Sequence, residues 1–179
     1  MLPVAPPYPI PLCVTLLVIA AASTDIASRR IPNRLVAVGL AGALAAQCLL
    51  HGVQAGVLAW LAGAATGFGL LLPLYLLRGM AAGDVKLMLA IGAWVGAEMT
   101  IYIVLATFVA GGIGAIAFAL LRGRMRQMWA NVFAMIARRS QRAHAEAAGG
   151  PVEIASVGTL PYGVAIAAGT LGMLFASCA

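Results

Sequence analysis

Charge is what this sequence has least of. Only 9% of its 179 residues are Asp, Glu, Lys or Arg, while 63% are hydrophobic. A soluble domain carries about 25% charged residues, and a chain this poor in them has too little polar surface to cover itself. Acids are rarer still, five against eleven Lys and Arg. The three cysteines, Cys13, Cys48 and Cys178, stand far apart in apolar stretches with no Cys-x-x-Cys. That speaks against a zinc ribbon or a redox pair and leaves them as small apolar core residues. His-Glu-x-x-His, Gly-x-Ser-x-Gly and Gly-x-x-x-x-Gly-Lys are missing as well, which removes a zinc-peptidase motif, one serine-hydrolase signature and the nucleotide loop. No metal and no cofactor is expected.

What is present is a series of apolar runs of membrane-spanning length, each span needing about 20 residues. In lipid such runs have to be helices, because nothing there pairs with a free backbone group. The runs fall at about Ile10–Ala27, Leu35–Leu50, Val53–Leu77, Val85–Val95 (a short one), Thr100–Leu121 and Leu160–Ala176. The expectation is an all-α, polytopic membrane protein: one bundle of six transmembrane helices forming a single domain over residues 1–179. Glycines at Gly63/Gly67 and Gly112/Gly114 are of the kind that lets membrane helices approach closely. The proline-rich start carries no positive charge, so the first run is not expected to be a cleaved signal peptide.

The net charge of +6 would fit a nucleic-acid partner, but its distribution fits membrane topology instead, and no nucleic acid is expected. Arg29, Arg30 and Arg34 follow run one; Arg78 and Lys86 flank the turn after run three. Arg122, Arg124, Arg126, Arg138, Arg139 and Arg142 follow run five. The alternate loops have no Lys or Arg. By the positive-inside rule, the loops at 28–34, 78–84 and 122–159 are cytoplasmic and both termini are external. Within the third loop Met125, Met128, Trp129, Val132, Phe133 and Ile136 share one helical face, with Gln127, Asn131 and Arg138 opposite. A basic amphipathic helix of this composition lies flat on anionic lipid; a docking face for a partner is the alternative.

Three of the five acids, Glu98, Glu146 and Glu153, sit in turns or in the polar loop and read as solvated charge. Asp25 and Asp84 border apolar runs, and acids at membrane depth default to function. Taken alone, Asp25 could pair with Arg29 one turn on, and Asp84 could cap a helix. The topology, however, brings both to the same interface. Two neighbouring carboxylates share a proton, so that one activates water while the other polarises a carbonyl. That is peptide hydrolysis by two acids.

At these residues the sequence resembles a known family. Asp25 followed by Arg29-Arg30-Ile31-Pro32-Asn33-Arg34-Leu35 looks like the first-aspartate motif of type IV prepilin peptidases. Gly83-Asp84-Val85-Lys86-Leu87 resembles their Gly-x-Gly-Asp motif, with Ala81 where the first glycine is expected. Pro161-Tyr162-Gly163-Val164-Ala165-Ile166 resembles the segment that opens their last helix. The resemblance implies a six-helix membrane aspartyl protease of the bacterial inner membrane, active at the cytoplasmic face on prepilins and pseudopilins with short basic leaders. It implies Asp25 and Asp84 as the catalytic pair, supported by Pro32, Asn33, Gly83, Lys86, Pro161, Tyr162 and Gly163. Longer members carry a region with paired cysteines linked to N-methylation. This sequence resembles the minimal, Flp/Tad-type form, so methyltransferase activity is not expected.

The supporting residues also have plainer roles. Pro32 ends a helix and fixes a turn, Asn33 is placed to cap the next helix, and Lys86 snorkels to the interface. Pro161 suits a first helical turn, and Tyr162 an interface. Three other functions compete. A proton-coupled transporter would use Asp25 and Asp84 as a relay, but such proteins show inverted repeats and midplane sites that this sequence lacks. A passive assembly factor would tolerate loss of either acid. A protease for other signal peptides would share the chemistry.

Overall fold

The structure is a computed structural model that describes residues 3, 6–77, 79–121 and 162–178. Among the described residues all regular structure is helical: α1 (Ile10–Ser28), α2 (Asn33–His51), α3 (Val53–Leu76), α4 (Ala82–Val95), α5 (Ala97–Leu121) and α6 (Tyr162–Cys178). Each expected apolar run reappears, its ends shifted by no more than three residues. Run four is the one whose start matters, because α4 begins at Ala82 and so takes in Asp84. The expected amphipathic helix at 125–136 and Pro161 lie outside the described residues. The chain groups into two units, Met1–Gly111 with Pro161–Ala179, and Gly112–Leu160. Of the second, only the end of α5 is described.

Within the first unit α4 is the hub, packing against α1, α2, α3 and α6. Nine of its fourteen residues are buried, among them Val85, Leu87, Met88, Ile91 and Trp94. Glycine makes the tightest contact possible. A Cβ on Gly63 would overlap the Gly92 carbonyl oxygen, one on Gly67 the Met88 carbonyl oxygen, and one on Gly92 the Gly63 carbonyl oxygen. The Gly63/Gly67 pair thus brings two backbones together, as small residues do in membrane bundles. For Gly112 and Gly114, nothing among the described residues lies within 4 Å of a built Cβ.

At fourteen residues α4 rises about 21 Å, short of the hydrocarbon thickness of about 30 Å. Its last carbonyls therefore end inside the bundle, and a helix leaves its final C=O groups without intrahelical donors. Gln47, buried on α2, supplies them. Its Nε2 donates to the carbonyls of Trp94 at 2.8 Å and Ala93 at 3.4 Å.

The surrounding helices show the opposite pattern. α1, α2, α3 and α5 as far as Ala117 are long and apolar enough to cross a membrane, whereas α4 and α6 are too short to meet that length. Their outward faces expose large apolar side chains, including Leu12, Leu16 and Ile19 on α1, Leu58 and Leu61 on α3, and Leu105 and Val109 on α5. Exposed apolar surface on that scale calls for lipid as its solvent. The protein is a multi-pass membrane protein.

Candidate active site

Asp25 stands in the last turn of α1. The helix stops one turn later, where Arg29 adopts a left-handed conformation with φ 52° and donates its N–H to the Asp25 carbonyl at 2.8 Å. The chain then turns sharply through Ile31 and Pro32. Pro32, at φ −64° and ψ 131°, is the N-cap of α2, and its carbonyl accepts from Leu35 N–H at 3.0 Å. Asn33 is therefore not the cap. It is the first helical residue, and its Oδ1 accepts a hydrogen bond from the Lys86 ammonium at 3.1 Å.

Asp84 is not a cap either. The N-cap of α4 is Ala81, and Asp84 is the third residue of the helix. From there its carboxylate lies near the Ala81 backbone, while its own N–H donates to the Ala81 carbonyl at 3.2 Å. Ala81 stands where the motif expects glycine, and its φ −78° and ψ 149° are extended values open to any residue. The substitution costs the loop nothing in conformation.

The two acid-bearing segments interlock. The Ile31 side chain packs against Gly83, with its atoms 3.5–3.8 Å from where a Cβ would sit, and the Asn33–Lys86 hydrogen bond ties the same two segments a few residues further on. Both acids are buried, Asp25 to 8% exposure and Asp84 to 6%, and they lie close enough for their charges to act on each other. The first turn of α6 closes on them from a third direction. Gly163 N–H donates to Asp25 Oδ2 at 2.8 Å. Tyr162, half-buried, stands within the field of Asp84 and lays its ring edge on Gly111.

Of the residues singled out in the sequence, Asp25, Asp84, Tyr162 and Gly163 meet at this point, with Gly83 one residue away. Pro32, Asn33 and Lys86 form the brace beside it, Lys86 exposed and donating to Asn33. Ile31 belongs to that brace and was not foreseen. Its signal was an apolar side chain between Arg30 and Pro32 in an otherwise polar turn. Among the described residues no group of three or more His, Cys, Asp and Glu gathers that could hold a metal ion. The chemistry on offer is that of two carboxylates with main-chain donors around them.

A model of the type IV leader peptidase family matches residues 12–116, a stretch that contains both acids and ends before α6. No curated protein and no solved structure matches the chain. With more than half of its length matched, the chain belongs to the type IV leader peptidase family and is a peptidase.

Proposed function

We propose that the protein is an aspartic endopeptidase that removes the leaders of prepilins and pseudopilins at the cytoplasmic face of a bacterial inner membrane, serving pilus or related secretion assembly. The observation that supports this is that Asp25 and Asp84, two isolated acids from distant parts of an acid-poor chain, are both buried and near enough for their charges to act on each other. The site then works as a proton exchange. Asp25 and Asp84 hold one proton between them. The ionised partner takes a proton from water as the water oxygen bonds to the scissile carbonyl carbon, and the protonated partner gives its proton to the carbonyl oxygen. Collapse breaks the C–N bond, the leaving nitrogen takes up the proton drawn from water, and the other proton returns to its acid.

Residues 1–179 act as one domain with six spans, α4 and α6 being the short ones. The arginine-rich segments face the cytoplasm, and the basic 122–159 segment rests its apolar stripe on lipid. The substrate contributes a short basic leader and an apolar helix. A tagged prepilin mixed with membrane vesicles tests the reading. Inside-out vesicles should release the mature form with a new N-terminus at the leader junction, and sealed right-side-out vesicles should not. Cleavage confined to right-side-out vesicles would reverse the assigned face, and no cleavage of any leader-bearing pilin would remove the substrate class.

A further inference from the structure

The two acids are held differently. Asp84 sits in the first turn of α4, near the Ala81 backbone at the cap of its own helix. Asp25 lies at the opposite kind of terminus, the last turn of α1, where the helix dipole disfavours negative charge. Its donor comes from another helix, 138 residues away in sequence: Gly163 N–H, at 2.8 Å from Oδ2.

Gly163 is the second residue of α6. N–H groups in a first helical turn have no intrahelical acceptor, so this one is available without loss to α6. The approach also requires that residue 163 have no side chain. A Cβ there would sit 2.7 Å from Asp25 Oδ2 and 3.1 Å from its Cγ, inside contact distance of the functional carboxylate. By contrast Gly172, on the same helix, has nothing among the described residues within 4 Å of a built Cβ, and Gly169 is pressed against the backbone and Oγ1 of Thr107 on α5. One helix thus carries a glycine needed for the acid, a glycine needed for packing and a glycine needed for neither.

We propose that Gly163 is a positioning residue of the peptidase: its main-chain N–H fixes Oδ2 of Asp25, and its bare Cα lets the first turn of α6 seat against that carboxylate. With Oδ2 committed to the amide, Oδ1 is the oxygen that faces water and exchanges the proton. The site is therefore complete only with α6 docked, although α6 lies beyond the stretch that matches the family model. The inference rests on the proposal that Asp25 and Asp84 are the catalytic pair.

The test uses the full chain in lipid vesicles with a tagged prepilin. Two changes address the two parts of this role: Gly163→Ala adds the Cβ that the approach excludes, and replacement of the 162–163 peptide bond by an ester through glycolic acid removes the N–H and adds no bulk. Gly169→Ala and Gly172→Ala serve as controls. Both changes at 163 should lower kcat by about 10- to 100-fold, the cost of a misplaced catalytic group, with KM unchanged. Gly169→Ala should lower thermal stability but keep kcat per folded molecule, and Gly172→Ala should change neither. If Gly163→Ala fails to fold, the ester alone decides. An ester variant with wild-type kcat overturns the inference, as does a kcat loss that Gly169→Ala reproduces. Asp25→Asn run in parallel separates the two levels. If it is inactive while the ester variant is normal, only the role of Gly163 falls; if it still cleaves, the catalytic pair falls first.

Discussion

Near its two ends α4 meets two buried polar side chains, one from a neighbouring helix and one of its own. At the C-terminal end a neutral amide from α2, Gln47, donates to the carbonyls of Ala93 and Trp94. At the N-terminal end the helix keeps a buried acid of its own, Asp84, within reach of the charge of a second acid. An amide that neither gains nor loses a proton can only stabilise, whereas a carboxylate beside another can also pass a proton. Burial of a polar group in this helix is thus no guide to function by itself; what faces the group is.

The contrast predicts opposite signatures for substitutions at the two ends. Asp84→Asn should lower cleavage by at least about 100-fold, the usual worth of a positioned acid or base, while thermal stability in lipid stays near wild type. Should stability collapse with activity, the acid would be a structural cap and the contrast would vanish. Gly63→Val pushes α3 away from the Gly92 carbonyl, and overpacking of this kind costs about 3 kcal/mol, to be read as a lowered unfolding midpoint. Gln47→Leu should cost about 1–3 kcal/mol, the penalty for leaving buried carbonyls unpaired, with the kcat of the folded fraction intact; a lost kcat would tie the far end of α4 to the chemistry. Ala81→Gly is the mildest. It adds backbone freedom at a residue already in an ordinary conformation, so stability should fall by about 0.4–1 kcal/mol with cleavage retained. A large gain in activity would mean that the alanine had been restricting the loop after all.

Helix existence was legible because lipid imposes it: an apolar run of sufficient length has no other fold open to it, and the ends follow where polarity returns. Asp25 and Asp84 stood out for the same reason, as acids in a chain with almost none. Helix starts were harder. Asn33 and Asp84 carry the side chains that cap helices, yet the chain uses Pro32 and Ala81 at those positions, because the turn geometry is set by the proline and by the contact of Ile31 with Gly83. Local preference gave way to tertiary packing. The approach of Gly163 to Asp25 had no local sign at all, since it depends on an absent side chain and on docking across the length of the chain. Resemblance to the family pointed at that segment; geometry says what its glycine touches.

The central claim is that Asp25 and Asp84 act as one unit. Cleavage of a prepilin in lipid vesicles by Asp25→Asn, by Asp84→Asn and by the double variant, each matched for folded protein, tests it most directly. Groups that act together are strongly non-additive. Each single variant should therefore fall to background, and the double should be no slower than either. Substantial cleavage by one single variant, or losses that multiply in the double, would contradict the pair and leave two independent acids instead.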